Sequence, residues 1–497
     1  MKKSNIKFKQ FPREIAILVT LVVVVVSLFA CATRKTSATK EQGYFPMEEM
    51  LRLEKSIKEP KFKNVTYNIV DFGAVADGKT LATESIRKAI EVCSKNGGGR
   101  VVVPKGKFLT GPIHLDNYVN LHLEEGAELL FSTNLNDYYP LVHTSFEGME
   151  LMNYSPLIYA KNKKNIAVTG KGVLNGQASD KHWWPWKGKT KEGETFGYVK
   201  GEPSQLDSVG VPALMNWAAK NTPIKDRIAG NGRYLRPNFI EPFECENVLI
   251  QGVKIINAPF WILHPYKSNN VIIDGVHIES HGPNNDGCDP EYSKNVVIKN
   301  SIFNTGDDCI AIKAGRDAEG RRIGITTENL IVRDCKMIDG HGGVVIGSEM
   351  SAGVRNVYVY NCQMDSPELD RAIRIKSNRL RGGFVENMYV KNLTVGQVKQ
   401  AVLHITLDYS IYGGNSEGKY DPKVSNILLE DVNVKNAGKY AIFADGLETS
   451  TIDNITFRNV TIDKVKKDFM LKHVKNLKLI DTYINGIKTN NGSIINK

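Results

Sequence analysis

The chain has 497 residues, 41% of them hydrophobic and 24% charged, and a formal net charge of +11. This composition is ordinary for a soluble globular protein, and no long low-complexity tract is present. The positive charge suits an acidic partner, either a nucleic acid or an acidic polysaccharide, or serves solubility alone. Because the basic residues are dispersed and no nucleic-acid-binding motif is recognisable, we expect no nucleic-acid partner.

The first 30 residues are predicted to be an export signal. A basic segment precedes an apolar run over residues 15–30, which is short for a membrane span of roughly 20 residues and typical of a signal peptide. Leu28, Phe29, Ala30 and Cys31 resemble a bacterial lipobox, although Phe29 stands where a small residue is usual. We therefore expect an exported lipoprotein with Cys31 lipidated, periplasmic or attached to the outer membrane. Plain secretion and an uncleaved anchor remain alternatives.

Residues 31–60 are polar and rich in lysine, and they are predicted to be a linker that tethers a catalytic domain over residues 61–497. The spacing of the later cysteines matches no zinc pattern, and a large core does not need disulfides, so we expect buried free thiols. These cysteines are Cys93, Cys245, Cys288, Cys309, Cys335 and Cys362.

Two segments of the N-terminal half stand apart from the pattern of the C-terminal half. Residues 85–95 place apolar residues on one helical face and end at a run of three glycines, which predicts an amphipathic helix. Residues 176–235 contain a Trp-Trp-Pro-Trp sequence and are predicted to be one long inserted loop.

The C-terminal half repeats one pattern, which is an asparagine, then alternating apolar and polar residues, then a turn. The intervals between copies run from 22 to 39 residues, and such a period indicates stacked units. The alternation indicates strands with one buried face. The copies begin at Asn247, Asn270, Asn295, Asn329, Asn356, Asn387, Asn426, Asn454 and Asn476.

A second series of strands lies between these copies, at residues 261–264, 309–313, 343–346, 372–376, 401–405 and 441–444. Two interleaved series predict an all-β fold, a single-stranded right-handed parallel β-helix in which each coil is stabilised by its neighbours. A β-propeller fits worse, because its blades need four antiparallel strands with tight hairpins. The helix at residues 85–95 would then cap the first coil, and the repeated asparagines would form a hydrogen-bonded ladder.

Successive coils of this fold bring acidic residues together. Asp286 aligns with Asp307 one coil later, about 4.8 Å away, and His341 lies on the next coil. If Ile310 and Ile312 point inward, strict alternation turns Cys309, Ala311 and Lys313 outward. The same rule turns Arg374 and Lys376 outward but Asp308 inward. Asp308 joins the cluster only if residues 306–308 form a turn.

Three crowded carboxylates repel one another and raise the pKa of at least one of them. The cluster then offers a general acid beside general bases, which hydrolysis of a glycosidic bond requires. Each motif alone has an ordinary structural explanation, such as a solvated turn or strand face. Their convergence on one face makes a catalytic site the better interpretation.

Four ordered motifs closely resemble those of the polygalacturonases, glycoside hydrolase family 28. The resemblance extends from about residue 68 to residue 476, and its one departure is Asn285 in place of threonine. The motifs are Asn284-Asn285-Asp286, Gly306-Asp307-Asp308, Gly340-His341-Gly342 and Arg374-Ile375-Lys376.

The resemblance implies a pectin-lyase-like solenoid and a role for each matching residue. Asp308 is similar to the general acid, Asp286 and Asp307 are similar to the bases that activate water with inversion, and His341 is similar to a residue that tunes them. The resemblance implies no metal and no organic cofactor. The expected substrate-binding residues are Asn284, Lys313, Arg374, Lys376 and Tyr409.

The expected substrate is therefore polygalacturonate, and we expect attack at chain ends because the insert 176–235 would close one end of the groove. Alternatives are a hydrolase of rhamnogalacturonan or decorated pectin, a calcium-dependent pectate lyase, and a non-catalytic polysaccharide-binding protein. The sequence leaves the oligomeric state open.

Overall fold

The computed structural model describes residues 44–190, 193–410, 418–489 and 491–495. One compact unit runs from Phe45 to Lys497. The predicted signal peptide and Cys31 lie outside the described residues. None of the described helices is long and apolar enough to cross a membrane.

The repeated asparagine pattern forms a long sheet whose neighbouring strands are parallel except at the C-terminal end, where Val474–Ile484 pairs antiparallel with the last two strands. Its described strands are Thr66–Asn68, Asp77–Leu81, Gly99–Val103, Gly106–Thr110, Val119–Leu123, Ala127–Phe131, Lys164–Gly170, Val173–Asn175, Glu246–Gln251, Lys254–Ile256, Asn269–Asp274, His277–Ser280, Lys294–Lys299, Ile302–Thr305, Thr327–Arg333, Lys336–Asp339, Val354–Met364, Phe384–Gln397, Lys423–Asn436, Ile452–Ile462, Val474–Ile484, Ile487–Lys488 and Asn491–Ile495.

The second series forms another parallel sheet, here called the site sheet. Single bridges through Leu263 and Cys288 join its first three strands to the later six. The strands are Ile113–His114, Ile158–Lys161, Ile240–Phe243, Ile310–Ile312, Val344–Gly347, Arg371–Lys376, Ala401–Thr406, Tyr440–Asp445 and Lys467–Lys472. Two interleaved parallel series confirm the predicted parallel β-helix.

The register of the site sheet separates the core from the functional face. Ile310, Val344, Ile373 and Leu403 stand in one paired column and are fully buried in the interior. The column one residue further along each strand points to the outer face and contains Ala311, Val345, Arg374 and His404. Since side chains alternate along a strand, one apolar column inside dictates which residues line the outer face.

The predicted asparagine ladder is present along the long sheet. The amide of Asn356 donates to Asn329 and the amide of Asn387 to Asn356, both at 3.1 Å. These asparagines have positive φ, which asparagine tolerates better than most residues. A second ladder that the sequence did not suggest lies along the next bend, where Asn392 donates to Asn361 at 2.9 Å. The ladders pair the side-chain amides of successive coils with one another.

The predicted capping helix spans Thr83–Lys95. Its apolar face, with Ile86, Ala89, Ile90 and Cys93, is buried in the main core. The six described cysteines are buried and free, as expected.

The predicted linker is wrong from Phe45 onward. A helix, Met47–Ser56, lies on the outer face of the long sheet, and Phe45, Met50 and Ile57 are buried there. The Phe45 amide donates to Glu430 at 3.0 Å. The apolar residues of this segment are interspersed with charged residues, so the sequence did not indicate a packed helix. Their burial depends on the outer face of the long sheet.

A hairpin and the insert cover the early rungs of the site sheet. The hairpin pairs Val142–Phe146 with Met149–Asn153, and the insert contains the helix Val211–Ala219. Both pack on Phe260 and Trp261 in one apolar cluster. The insert also contains two short 3-10 turns, Trp184–Lys187 and Ile224–Asp226. Other short helical segments are Ile69–Phe72, Leu135–Tyr138 and Asp317–Ile323.

Candidate active site

The three predicted aspartates converge just beyond the covered rungs. Asp286 lies in the loop after His277–Ser280, and Asp307 and Asp308 lie between Ile302–Thr305 and Ile310–Ile312. Carboxylate oxygens from all three lie within 4.8 Å of one another. The structure therefore brings together residues that are about 20 positions apart in sequence.

Asp308 reaches the outer face because residues 306–308 bend rather than continue a strand. The turn on which the place of Asp308 in the cluster depended is therefore present, and strict alternation does not apply to Asp308. The outward direction expected for Cys309 is wrong, since its sulfur contacts the Asp339 carbonyl at 3.1 Å and lies in the interior core. Regular alternation resumes at Ile310.

The carboxylate of Asp308 is held by two cations and has 0% exposure. Lys376 Nζ lies 2.7 Å from Oδ2 and an Arg374 guanidinium nitrogen lies 3.5 Å from Oδ1. Burial opposes its ionisation, but Lys376 and Arg374 outweigh burial and hold the pKa of Asp308 below its ordinary value. Asp308 is thus an ionised carboxylate beneath the surface of the groove.

Asp307 forms a different pair. Its Oδ1 lies 2.9 Å from His341 Nδ1, and the two side chains are 18% and 53% exposed. The charge of Asp307 raises the pKa of His341 to about 9. Burial opposes the ionisation of Asp307, yet His341 and Lys376 keep the pKa of Asp307 below its ordinary value. Of the three carboxylates, Asp307 is the one most open to the groove.

Asp286 is 2% exposed and lies 3.6 Å from Lys313 Nζ. Burial and then the charge of Asp307 raise the pKa of Asp286 to about 8, against the attraction of Lys313. Asp286 therefore favours its protonated form more than an ordinary aspartate does.

Lys313 was expected to bind substrate, but the structure buries it below the groove. Its ammonium lies 3.3 Å from Glu349 and 4.7 Å from the centre of the Trp261 ring. Burial lowers its pKa, but Glu349 and Asp286 raise it more strongly, so the pKa of Lys313 is well above its ordinary value. Lys313 therefore occupies the position of a buried counter-ion to Asp286 and Glu349.

Arg374 and Lys376 face the half-buried ring of Tyr409, at 5.7 and 5.6 Å from its centre. The three residues thus lie together beside Asp308, where the sequence placed a substrate carboxylate. Cations over an aromatic ring provide a site for a carboxylate on a sugar.

Asn284 is held by two cations that sequence reasoning missed. Its side-chain oxygen accepts from Lys187 Nζ at 2.9 Å and from Arg236 at 2.8 Å. Lys187 comes from the insert and Arg236 from the segment just after it, and both are buried. With the oxygen so occupied, the NH₂ group of Asn284 is oriented away from both cations. No local sequence motif predicts this arrangement, because both cations lie far from Asn284 in sequence.

The three aspartates also have the spacing of a metal site. Each carboxylate, however, already faces a cationic side chain of the protein, namely Lys313, His341 or Lys376. Positive charge at this cluster is therefore supplied by the chain itself, and the donor set fits a divalent ion poorly.

The profile of the family described as "Glycosyl hydrolases family 28" matches residues 199–481. A protein of Vitis vinifera named "Probable polygalacturonase" is 29% identical over 416 residues, covering 80% of this chain and 74% of the relative. An exo-poly-alpha-D-galacturonosidase of Dickeya chrysanthemi is 30% identical over 386 residues, covering 74% of this chain and 61% of that longer protein.

Among solved structures, a hyperthermoactive exopolygalacturonase from Thermotoga maritima is 42% identical. It superposes with a TM-score of 0.84 and covers 90% of this chain and 98% of its own. The matched profile spans more than half of the chain and includes the three aspartates, His341, Arg374 and Lys376. The chain therefore belongs to glycosyl hydrolase family 28.

Proposed function

We propose that this glycoside hydrolase cleaves α-1,4-linked galacturonic acid in polygalacturonate and pectin, from chain ends and with inversion. The observation that carries the proposal is the placement of Arg374 and Lys376 beside a three-carboxylate cluster. A neutral sugar would leave both cations without a partner from the substrate, whereas a galacturonate carboxylate would pair with them. The names of the relatives support the same substrate.

The general acid is assigned to Asp307, not to Asp308 as the resemblance implied. An acid must touch the leaving oxygen, and Asp307 is 18% exposed whereas Asp308 has 0% exposure. Cations favour the ionised form of both carboxylates, so access to the leaving oxygen, and not charge, distinguishes Asp307 from Asp308. His341, protonated at neutral pH, lies 2.9 Å from Asp307 and orients it.

Asp286 and Asp308 are assigned as the bases that hold the attacking water. The closest carboxylate oxygens of the cluster lie within 4.8 Å of one another, which is less than the roughly 6.5–9.5 Å typical of inverting enzymes with two carboxylates. The case for inversion therefore depends on the burial of Asp286 and Asp308 and not on the spacing of the carboxylates. Asp286 and Asp308 are too buried for the anomeric carbon to approach either one, whereas a water molecule is small enough. NMR of the first product anomer tests this assignment.

Attack at chain ends is supported by what covers the early rungs of the site sheet. Phe146 of the hairpin stacks on Phe260, with ring centres 4.5 Å apart, and the insert helix packs in the same cluster. This cover supports a groove that is walled on the side of Asp286. The insert was expected to form such a wall alone, but the hairpin packs in the same cluster.

Sizing the products over time on polygalacturonate and on rhamnogalacturonan tests the proposal. Early release of a single short product from polygalacturonate is expected, while an early ladder of oligomers would contradict terminal attack. Faster cleavage of rhamnogalacturonan would favour that substrate instead. An unsaturated product that absorbs in the ultraviolet and disappears with chelator would indicate a lyase, and binding without any product would indicate a polysaccharide-binding protein.

The site of action is proposed to be outside the cytoplasm, on a lipid-anchored chain in the periplasm or at the outer membrane. The N-terminal apolar run and Cys31 support this proposal. Mass spectrometry of the mature N-terminus, compared between the wild type and Cys31→Ser, is expected to show a lipidated cysteine only in the wild type. An unmodified Cys31 in membrane fractions would contradict it.

A further inference from the structure

A fourth carboxyl group lies behind the catalytic cluster and belongs to none of the four motifs. Asp289 has 0% exposure and lies three residues after Asp286. Among the described residues, no other group donates a hydrogen bond to either oxygen of Asp289 or to Oδ1 of Asp286. The two carboxyls are in hydrogen-bonding contact with each other.

Lys313 is the cation that the two carboxyls share. Its Nζ lies 3.6 Å from Asp286 and 3.8 Å from Asp289, and the same ammonium also serves Glu349 at 3.3 Å. The single positive charge of Lys313 cannot balance three negative charges. Two buried carboxylates in contact therefore cannot both remain ionised, and one proton between them forms a strong O–H···O⁻ hydrogen bond.

The surroundings decide which carboxyl keeps the proton. Asp286 faces the groove, with Asp307 and Asp308 on one side and Lys313 and Lys376 supporting its charge. Asp289 lies deeper, next to Cys288. Its backbone N–H donates to the carbonyl of Leu263 on the previous coil. The next residue, His264, pairs through its two ring nitrogens with Glu241 and Glu291.

Burial and the neighbouring Asp286 raise the pKa of Asp289 well above its ordinary value, whereas the pKa of Asp286 rises to about 8. The more strongly raised and more deeply buried group holds the proton. This direction agrees with the contacts.

We propose that Asp289 is a positioning residue whose protonated carboxyl donates a hydrogen bond to Asp286, favours the ionised form of Asp286 and aims it at the attacking water. This inference rests on the proposed function, because it assigns Asp286 as a base. It explains how a carboxyl that two neighbouring carboxylates push toward protonation can still lose its proton and act as a base. Asp289 itself has 0% exposure and lies out of reach of the substrate.

Two substitutions separate positioning from simple packing. In Asp289→Asn the amide still donates to Asp286, so kcat is expected within about threefold of wild type. In Asp289→Leu the donor is lost, and kcat is expected to fall about 10- to 100-fold with KM within about twofold. The pH profile gives the decisive readout. A hydrogen bond to the ionised form lowers a pKa, so its loss moves the acidic limb of kcat to higher pH in Asp289→Leu only.

Cys362→Val serves as the control, because it alters the buried interior far from the site. It is expected to leave the acidic limb unchanged at similar thermal stability. An unshifted limb in Asp289→Leu, or equal loss of kcat in both Asp289 variants, would overturn the proposal.

Difference infrared spectroscopy reads the proton without any turnover. The absorbance of buried protonated carboxyls at pH 7 is expected to be lower in Asp289→Asn than in the wild type. Unchanged absorbance in that variant would place the proton elsewhere and refute the proposal, even if Asp289→Leu fails to fold. A wild-type chain that leaves polygalacturonate intact would refute the proposed substrate alone, since the infrared band does not depend on the sugar.

Discussion

The outer face of the site sheet has a covered side and an open side, and the two are built from the same repeat. On the covered side, Glu241 and His264 point outward and are fully buried beneath the hairpin. On the open side, His404 and Phe443 continue the outward column of Arg374 and remain partly exposed. Register alone sends all of these side chains outward, so what packs on them decides whether they form a wall or a groove.

The catalytic cluster lies where these two sides meet. Burial on the covered side raises the pKa of Asp286, while exposure on the open side leaves Asp307 accessible. The edge of the wall therefore brings a desolvated carboxyl and an accessible one into the same cluster.

The largest expected effect concerns the accessible acid. Asp307→Asn is expected to lower kcat on polygalacturonate about 10²- to 10⁴-fold, because the leaving oxygen loses its proton donor. An aryl galacturonide whose leaving group needs no protonation should be cleaved with a much smaller loss. Asp431→Asn, on the long sheet, is the control. If Asp308→Asn rather than Asp307→Asn showed this rescue, the acid assignment would be wrong.

The wall itself is broken by removing one of its aromatic contacts. Phe146→Ala is expected to cost about 3–5 kcal/mol of unfolding free energy and to loosen the hairpin from Phe260. Early products should then include mixed oligomers. Phe457→Ala removes a buried ring from the interior elsewhere and should cost a similar amount without changing the products. An unchanged product pattern in a destabilised Phe146→Ala variant would show that the hairpin does not block the groove.

The buried charge of His264 beneath the hairpin is expected to make the stability of the folded protein depend on pH. Burial lowers the pKa of His264, but Glu241 and Glu291 raise it to about 9. Because the folded value exceeds the unfolded value of roughly 6.5, this stabilisation is complete below pH 6.5 and is lost as the pH rises through 9. The expected loss is about 3 kcal/mol.

Melting temperatures at pH 7 and pH 10 check this expectation. The drop should be smaller in His264→Gln than in the wild type, while His182→Gln, an exposed histidine of the insert, should behave as the wild type. Equal drops in all three proteins would mean that His264 carries no extra charge in the folded state.

The smallest expected effect concerns the link between the insert and the site. Asn284→Asp keeps an oxygen for Lys187 and Arg236 but removes the NH₂ donor. We expect about a tenfold loss of kcat/KM with unimpaired stability, as for one lost hydrogen bond. Steady-state kinetics and thermal melts measure both quantities. Full activity in this variant would mean that Asn284 serves the fold and not the substrate.

Much of this arrangement could be predicted from local patterns. The asparagine copies predicted coils and their ladder, and four motifs at matching positions predicted the convergence of Asp286, Asp307 and His341. The turn that brings Asp308 into the cluster could be stated only as a condition, because strand alternation does not specify a bend. The burial of Lys313 could not be predicted, because the alternation of a strand does not show what packs above a residue. The same limit applies to Lys187 and Asp289, whose partners come from other coils or from the insert.

The repeated apolar pattern was enough to specify the coiled parallel architecture, since each copy can bury its apolar face only by stacking on its neighbours. The sequence also specified which chemical groups meet on the outer face. Which of those groups are desolvated depends on the tertiary structure, because the hairpin, the insert and the N-terminal helix bind to the solenoid through contacts with residues distant in sequence. This packing gives otherwise similar aspartates different pKa values and different access to the groove.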